Sequence, residues 1–222
     1  MSPTWGPAVR EPPGSFGDLA FASSYVYAPR AVGWLARSSR LVCARVKAID
    51  PLWLPGYAGW VYRSSLQDRQ LASIFACGAV LVPVPGSART TEGPWAALAL
   101  AVALARVGFA LPVCSVLWRR YGVRKSATAP SSARPTVQQH YDSFGVLAPA
   151  MPMRKVVLID DVITKGRTLL AAAARVHAAA PCADIRAFAL IRTLGFACNI
   201  ERVAETCHGM VRWTAGDARR EP

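Results

Sequence analysis

The sequence predicts an α/β fold: a parallel sheet covered by helices, with a small accessory lobe on its N-terminal side. Three observations lead there. Short β-branched apolar runs at 79–84, 155–159 and 185–191 alternate with Ala/Leu-rich helical stretches at 94–107 and 168–180. That strand–helix–strand rhythm belongs to parallel sheets buried on both faces. The length, 222 residues, suits one well-buried domain with a modest addition rather than two full domains. A composition 53% hydrophobic and 18% charged excludes a disordered chain.

Residues 1–24 hold Pro3, Pro7, Pro12 and Pro13 among several glycines and read as a flexible arm. Residues 25–78 read as an accessory or hood lobe, with a helix at 31–49, a Pro/Gly-marked turn at 51–59 and a second helix at 65–77. The core spans 79–192. It opens with a buried strand ended by Pro85-Gly86-Ser87 and a helix with Pro94 near its first turn, where a missing N–H costs least. A strand at 111–118 follows, and then a long, exposed, basic loop at 119–140. The strongest strand in the chain, from Lys155, runs into Asp160-Asp161, a Thr/Gly loop and an Ala-rich helix stopped by Pro181. Residues 193–222 form a C-terminal segment. The loops that follow parallel strands gather on one edge of the sheet, where open α/β folds bind ligands.

Charge narrows the partners. The formal net charge is +13 and the pI near 10.2, which favours phosphorylated metabolites, nucleic acid or another acidic surface. No acidic residue lies between Glu92 and Asp142, whereas Arg106, Arg119, Arg120, Arg124, Lys125 and Arg134 all do. The six cysteines make no Cys-x-x-Cys pair and read as buried free thiols of a reducing compartment. Cys198, Cys207 and His208 supply at most half a metal site. No secretory signal is visible, and the longest apolar run, 95–105, falls short of the roughly 20 residues a bilayer requires. The expectation is a cytoplasmic protein with no membrane partner. His177 is read as a helix boundary residue, His208 and Trp213 as parts of a packed terminus rather than of a base-recognising lid, and the tryptophans mostly as core or lobe-packing residues.

The chemistry concentrates in residues 156–168. A continuous apolar strand delivers two carboxylates, Asp160 and Asp161, at its carboxyl end. Such a pair can accept hydrogen bonds from vicinal sugar hydroxyls and hold Mg²⁺ directly or through water. Thr164, Lys165, Gly166, Arg167 and Thr168 then combine hydroxyls, a glycine and two cations immediately before a helix. First-turn N–H groups with hydroxyls beside them bind a phosphate monoester, and Gly166 removes the Cβ that would hold the backbone away.

An apolar strand, two acids, two apolar residues and then Thr-x-Gly-x-Thr resembles the signature of the type I phosphoribosyltransferase family, and every one of those positions is matched. Val82-Pro83-Val84-Pro85 followed by Ser87 and Arg89 is similar to the first loop of the family's ComF-like branch, associated with competence proteins. The resemblance implies a phosphoribosyltransferase-like core that binds 5-phosphoribosyl-1-pyrophosphate with Mg²⁺ as cofactor. It implies transfer of the phosphoribosyl group to an acceptor with release of pyrophosphate, a pentosyl transfer of nucleotide metabolism. By the same resemblance Pro85, Gly86, Ser87 and Arg89 contact the pyrophosphate. Arg124 and Lys125, on a loop that closes over the site, assist catalysis beside Asp160 and Asp161.

Two departures qualify the match. The four-cysteine zinc ribbon that usually begins ComF-like chains has no counterpart, since only Cys43 and Cys77 precede the core. Thr164 stands where 6-oxopurine phosphoribosyltransferases carry an acidic base, and a hydroxyl cannot do that proton chemistry near neutral pH. The alternative reading is a non-catalytic sensor of the same ligand, or a competence-type factor associated with DNA; a hydrolase of a related nucleotide sugar ranks behind both. Relatives are often homodimers, and their base-recognising elements correspond to 25–78 and 193–222 here.

Overall fold

Val156, Val157, Leu158 and Ile159 offer no polar side chain to either face of a sheet, so the strand they form must be covered on both sides. The computed structural model describes residues 16–88, 94–124, 133–147, 153–214 and 216–222. Its elements begin with strand β1 (Leu19–Tyr27), helices α1 (Gly33–Lys47), α2 (Leu54–Ser65) and α3 (Arg69–Ile74), and strand β2 (Ala79–Pro83). Helix α4 (Ala96–Leu104) runs on into a wide turn, Ala105–Phe109, and then β3 (Leu117–Arg119), α5 (Val137–Ser143) and β4 (Phe144–Val146). The last elements are β5 (Lys155–Ile163), α6 (Arg167–Ala179), β6 (Asp184–Thr193) and the hairpin β7 (Ala204–Thr214) and β8 (Asp217–Glu221).

The molecule is α/β, with a mostly parallel six-stranded sheet of order β2-β5-β6-β1-β7-β8. β2, β5, β6 and β1 run parallel; β7 and β8 add an antiparallel flank. β3 and β4 form a separate antiparallel pair. One core lies between the sheet and α5–α6, and includes Phe21, Val156, Leu158, Phe144 and Leu170. The other lies between the sheet and α1–α4, and includes Tyr25, Val157, Ile159, Leu100 and Phe188. β5 buries residues into both.

The in-out alternation slips at one level of the sheet. Along β5, Val156 and Leu158 face the α6 side while Val157 and Ile159 face the α1 side. Beyond the two acids the parity is reversed: Val162 packs on the α1 side and Ile163 on the α6 side. β6 slips alongside, with Leu190 and Ile191 both on the α1 side. β1 does the same, since Phe21 faces α6 and Tyr25 faces α1, and its register with β7 shifts between Ser23 and Tyr25. An extra residue in a strand rotates the side chains after it. Here three neighbouring strands share the fault, and Asp160 and Asp161 sit on it. Ser23 and Ser24, at the same level of β1, are fully buried, with no hydrogen-bond partner for either hydroxyl among the described residues.

Several expectations need correction. The arm assigned to 1–24 cannot extend that far, because Leu19 and Phe21 belong to a central strand and are buried. Residues 25–78 supply the end of that strand and the helices of one covering layer, and 193–222 supply two strands of the same sheet. The turn at 51–59 is instead the start of α2, with proline within its first two positions, where no intrahelical N–H is lost. The helix at 65–77 shrinks to α3, capped by the Asp68 carboxylate. The strand at 111–118 is extended chain that bridges β2 only at Val113 and becomes a strand at Leu117. The exposed loop at 119–140 begins and ends on buried residues, Arg119 and His140, and includes the start of α5, which has a Thr136–Gln139 capping box. Of the six free cysteines only Cys43 is buried; among the described tryptophans none is fully buried, and Trp60 and Trp213 pack against the two cores from partly buried positions. Among the described residues no helix is long and apolar enough to cross a membrane.

Candidate functional site

β5 ends at the carboxyl edge of the parallel strands, and its last four residues include both acids, each partly buried. Asp160 Oδ1 accepts from the Asp161 backbone N–H at 2.9 Å, and Asp161 Oδ1 accepts from the Val162 N–H at 2.8 Å. These short-range bonds fix both carboxylates relative to the strand end. Burial and the adjoining Asp161 carboxylate push the Asp160 carboxyl well above the usual carboxylate range. A pair of this kind attracts a cation. Lys47, the last residue of α1, supplies one: its Nζ lies 2.9 Å from Asp161 Oδ2. Burial opposes the charge on Lys47, but the Asp161 carboxylate outweighs that and raises its pKa.

The turn after β5 is shaped for an anion. Gly166 has φ +86°, and a Cβ there would come within 2.6 Å of Val211 Cγ1, so both backbone and packing require glycine. No side chain caps the first turn of α6, which leaves its N–H groups free of the usual protein partner. Thr164 Oγ1 lies 3.2 Å from Thr193 Oγ1. Thr168 Oγ1 lies 3.4 Å from His140 Nε2.

His140 belongs to a buried polar chain that the loop reading missed. Arg119 Nε donates to the Gly86 carbonyl at 2.9 Å, Nη1 donates to Ser143 Oγ, and Nη2 contacts His140 Nδ1 at 3.2 Å. The Arg119 guanidinium also stacks over the Phe144 ring, 3.9 Å from its centroid. Burial lowers the Arg119 pKa to about 10, so it remains charged at neutral pH. Burial and the nearby Arg119 and Arg167 push His140 down to about 3, so its imidazole is neutral. Because a guanidinium only donates, Nδ1 accepts and Nε2 carries the proton toward Thr168. Thr168 Oγ1 then accepts from His140, and its own proton is available to a ligand. This chain joins Gly86, after β2, to Thr168, at the start of α6.

The two cations of the turn face elsewhere. Arg167 grips Asp217 of β8 through Nε–Oδ1 at 2.5 Å and Nη2–Oδ2 at 2.6 Å, and donates to the Pro135 carbonyl at 3.2 Å. Lys165 lies 3.6 Å from the same carboxylate and is largely exposed. The hydrogen bond from Arg167 depresses the Asp217 pKa. Arg220 adds a second brace, donating to the carbonyls of Ile163 at 3.2 Å and Thr193 at 3.0 Å. The C-terminal hairpin thus supports the turn from beneath.

Of the expected site residues, Asp160, Asp161 and Thr164 to Thr168 form one continuous edge. Pro85 is buried, and Gly86 is tied to it through Arg119. The Ser87 carbonyl accepts from the Val123 N–H at 2.8 Å, joining the loop after β2 to the basic segment. Arg124 is exposed and lines a separate recess of about 440 Å³ with Tyr121, Val123, Pro135, Gln139 and Asp142. Arg89 and Lys125 lie outside the described residues. Lys47, Arg119, His140, Asp217 and Arg220 were not anticipated as part of the site. Only Arg119 carried a signal, its place in the acid-free interval.

The donor set suits Mg²⁺. Two carboxylates provide hard oxygen ligands, and among the described residues no group of three or more His, Cys, Asp or Glu is arranged to hold a metal. Mg²⁺ is commonly bound through one or two carboxylates, with ligand oxygens and water completing the shell, whereas structural zinc needs four protein ligands. Cys198, Cys207 and His208 form no such cluster; His208 instead pairs with Asp68 at 2.8 Å. No protein-family model matches this chain, and no curated protein is similar to it.

Proposed function

We propose that the chain is a phosphoribosyltransferase-like protein that binds 5-phosphoribosyl-1-pyrophosphate with Mg²⁺, transfers the phosphoribosyl group to an acceptor and releases pyrophosphate. The observation that carries this reading is the paired acids at the end of β5, leading directly into an uncapped, glycine-centred turn at the start of α6. Few ligands need both halves at once, and a phosphorylated pentose does.

In this reading Asp160 and Asp161 hold the ribose hydroxyls, and the N–H groups of the first turn of α6, with the Thr164 and Thr168 hydroxyls, hold the 5′-phosphate. The His140 imidazole leaves the Thr168 proton pointing toward the phosphate. Gly86 and Ser87 approach the pyrophosphate, held in place by Arg119. A divalent cation at the acids would supply charge neutralisation for the pyrophosphate. As the bond to pyrophosphate breaks, positive charge grows on the anomeric carbon, and the carboxylates stabilise it. Positioning and fixed charge account for the rate. Lys165 is free enough to swing to the phosphate; Arg167 acts by holding the turn to β8.

Calorimetric titration with 5-phosphoribosyl-1-pyrophosphate and Mg²⁺ tests this. Thr168→Ala should weaken binding about 10- to 100-fold, the cost of one charge-assisted hydrogen bond, and the Asp160→Ala, Asp161→Ala double variant should abolish it. Binding that survives the double variant sinks the reading. Pyrophosphate release across a panel of nitrogenous acceptors then separates transferase from sensor, since a sensor binds without turnover.

A further inference from the structure

We propose that Lys47 is an exchangeable counter-ion of this site: its ammonium holds Asp161 until a divalent cation takes that carboxylate, and is then released to the phosphoryl oxygens of the ligand. The proposal rests on the ribose-phosphate reading and deepens it by giving α1 a part in the chemistry.

Asp161 has two oxygens and both are engaged. Oδ1 accepts the Val162 N–H at 2.8 Å, a bond internal to the strand end. Oδ2 accepts Lys47 Nζ at 2.9 Å. Oδ1 is partly occupied by the strand end, so a metal ion seeking Asp161 approaches Oδ2, where the Lys47 ammonium repels it and competes for the same negative charge. The competition is uneven in the right direction. The Lys47 side chain is 48% exposed while that of Asp161 is only 20% exposed, and an ion pair with one partner so open to water holds weakly.

The other basic groups of the site do not pair with Asp161: Lys165, though exposed, lies 3.6 Å from Asp217 instead. Arg119 is buried and anchored to Gly86, Ser143 and His140. Arg167 is clamped to Asp217 and Pro135. Lys47 has a point charge on a flexible stem, tethered to the site by one hydrogen bond. A dication enters as a monocation leaves, so Asp161 is never without a cation, and the displaced ammonium is left beside an incoming polyanion. Metal and sugar pyrophosphate would then favour each other's binding.

The test uses the full chain with Mn²⁺ alone as the first probe, followed by electron paramagnetic resonance, and inorganic pyrophosphate with Mn²⁺ as the second. Lys47→Met should bind Mn²⁺ about three- to tenfold tighter and pyrophosphate about three- to tenfold weaker, as expected for removing one half-exposed charge. Lys47→Arg should keep the wild-type Mn²⁺ affinity within about twofold. A structural role alone would not move the two constants in opposite directions. Lys47→Gln serves as the second neutral variant should Lys47→Met fail to give a normal melting profile. An unchanged or weaker Mn²⁺ constant in the neutral variants, equal constants for Lys47→Met and Lys47→Arg, or no Mn²⁺ binding by any of them overturns the proposal. Titrating the same proteins with 5-phosphoribosyl-1-pyrophosphate separates the two readings. Sugar binding with an unmoved Mn²⁺ constant overturns the counter-ion role alone. Loss of sugar binding in wild type overturns the proposed function, while opposite shifts of the Mn²⁺ and pyrophosphate constants still sustain Lys47 exchange at Asp161.

Discussion

The two faces of the sheet are packed by different means. On the α1–α4 side aromatic rings touch in series: Phe75 stacks on Phe109 at 4.1 Å between centroids and meets Phe188 at 5.1 Å, while Tyr25 meets Trp60 at 5.2 Å. On the α5–α6 side a floor of Ala171, Ala172, Ala173 and Ala174 leaves room for buried polar groups, Arg119, His140, Ser143 and Arg175. Arg175 donates to the Tyr141 carbonyl at 2.9 Å and lies over its ring. The aromatic face draws on contact area, which is insensitive to pH. The polar face draws on directed bonds that hold Thr168 and Gly86 in place, and it inherits their protonation chemistry.

The largest effect expected from this contrast is in the aromatic layer. Phe188→Ala should lower stability by about 3–5 kcal/mol, because Phe188 is fully buried against the Phe75 ring and its removal leaves a void in the core. Calorimetry should show the melting temperature falling by about 10 °C, with an unchanged pH profile; a drop under about 2 °C would show the layer to be pliant.

Next comes the polar face in acid. The folded pKa of His140 is about 3, against about 6.5 for the unfolded chain. The unfolded state takes the proton first, so the contribution of neutral His140 is complete above about pH 6.5 and is lost as pH falls toward 3. At about 1.4 kcal/mol per unit, roughly 2 kcal/mol should go between pH 6.5 and 5. Asp160, whose pKa is raised, works the other way and returns some stability in acid. Urea midpoints at pH 7, 6 and 5 should fall less steeply for His140→Gln than for wild type; parallel slopes would exonerate His140.

The smallest effect lies on the rim of the aromatic side. Arg45, half-buried, sits over the exposed Trp53 ring at 3.6 Å, and Arg45→Ala should cost about 0.5–1 kcal/mol. A loss above about 2 kcal/mol by chemical denaturation would mean that the rim shares the packing of the interior.

Much of the core and half of the site could be read from the chain because they are local. β5, the two acids, Gly166 and α6 follow one another without interruption, and each step has its own signal: an apolar run, a turn residue, an Ala-rich helix. β1 is different. Its sequence, LAFASSYVY, shows no clean alternation because both faces are buried and the parity slips at Ser24, and the prolines before it suggested an arm. α2 was hidden by Pro55, Gly56 and Gly59, which signal a turn anywhere except the start of a helix. The second half of the site is long-range: Lys47 meets Asp161 across 114 residues, Arg167 meets Asp217 across 50, and Arg119 meets His140 across 21. No local pattern specifies such pairs, since only the strand order brings them together.

The position of β1 sets a constraint on how the molecule assembles. Phe21 lies beside Ala187 on one side and Gly209 on the other, so β1 has no sheet neighbours until the chain has been made as far as β6 and β7. Loops of that length are slow to close. During that interval the hydrophobic residues of 19–27 stay open to solvent and to other nascent copies. For this protein, the period of greatest exposure to misassociation comes before β6 is made rather than after folding is complete.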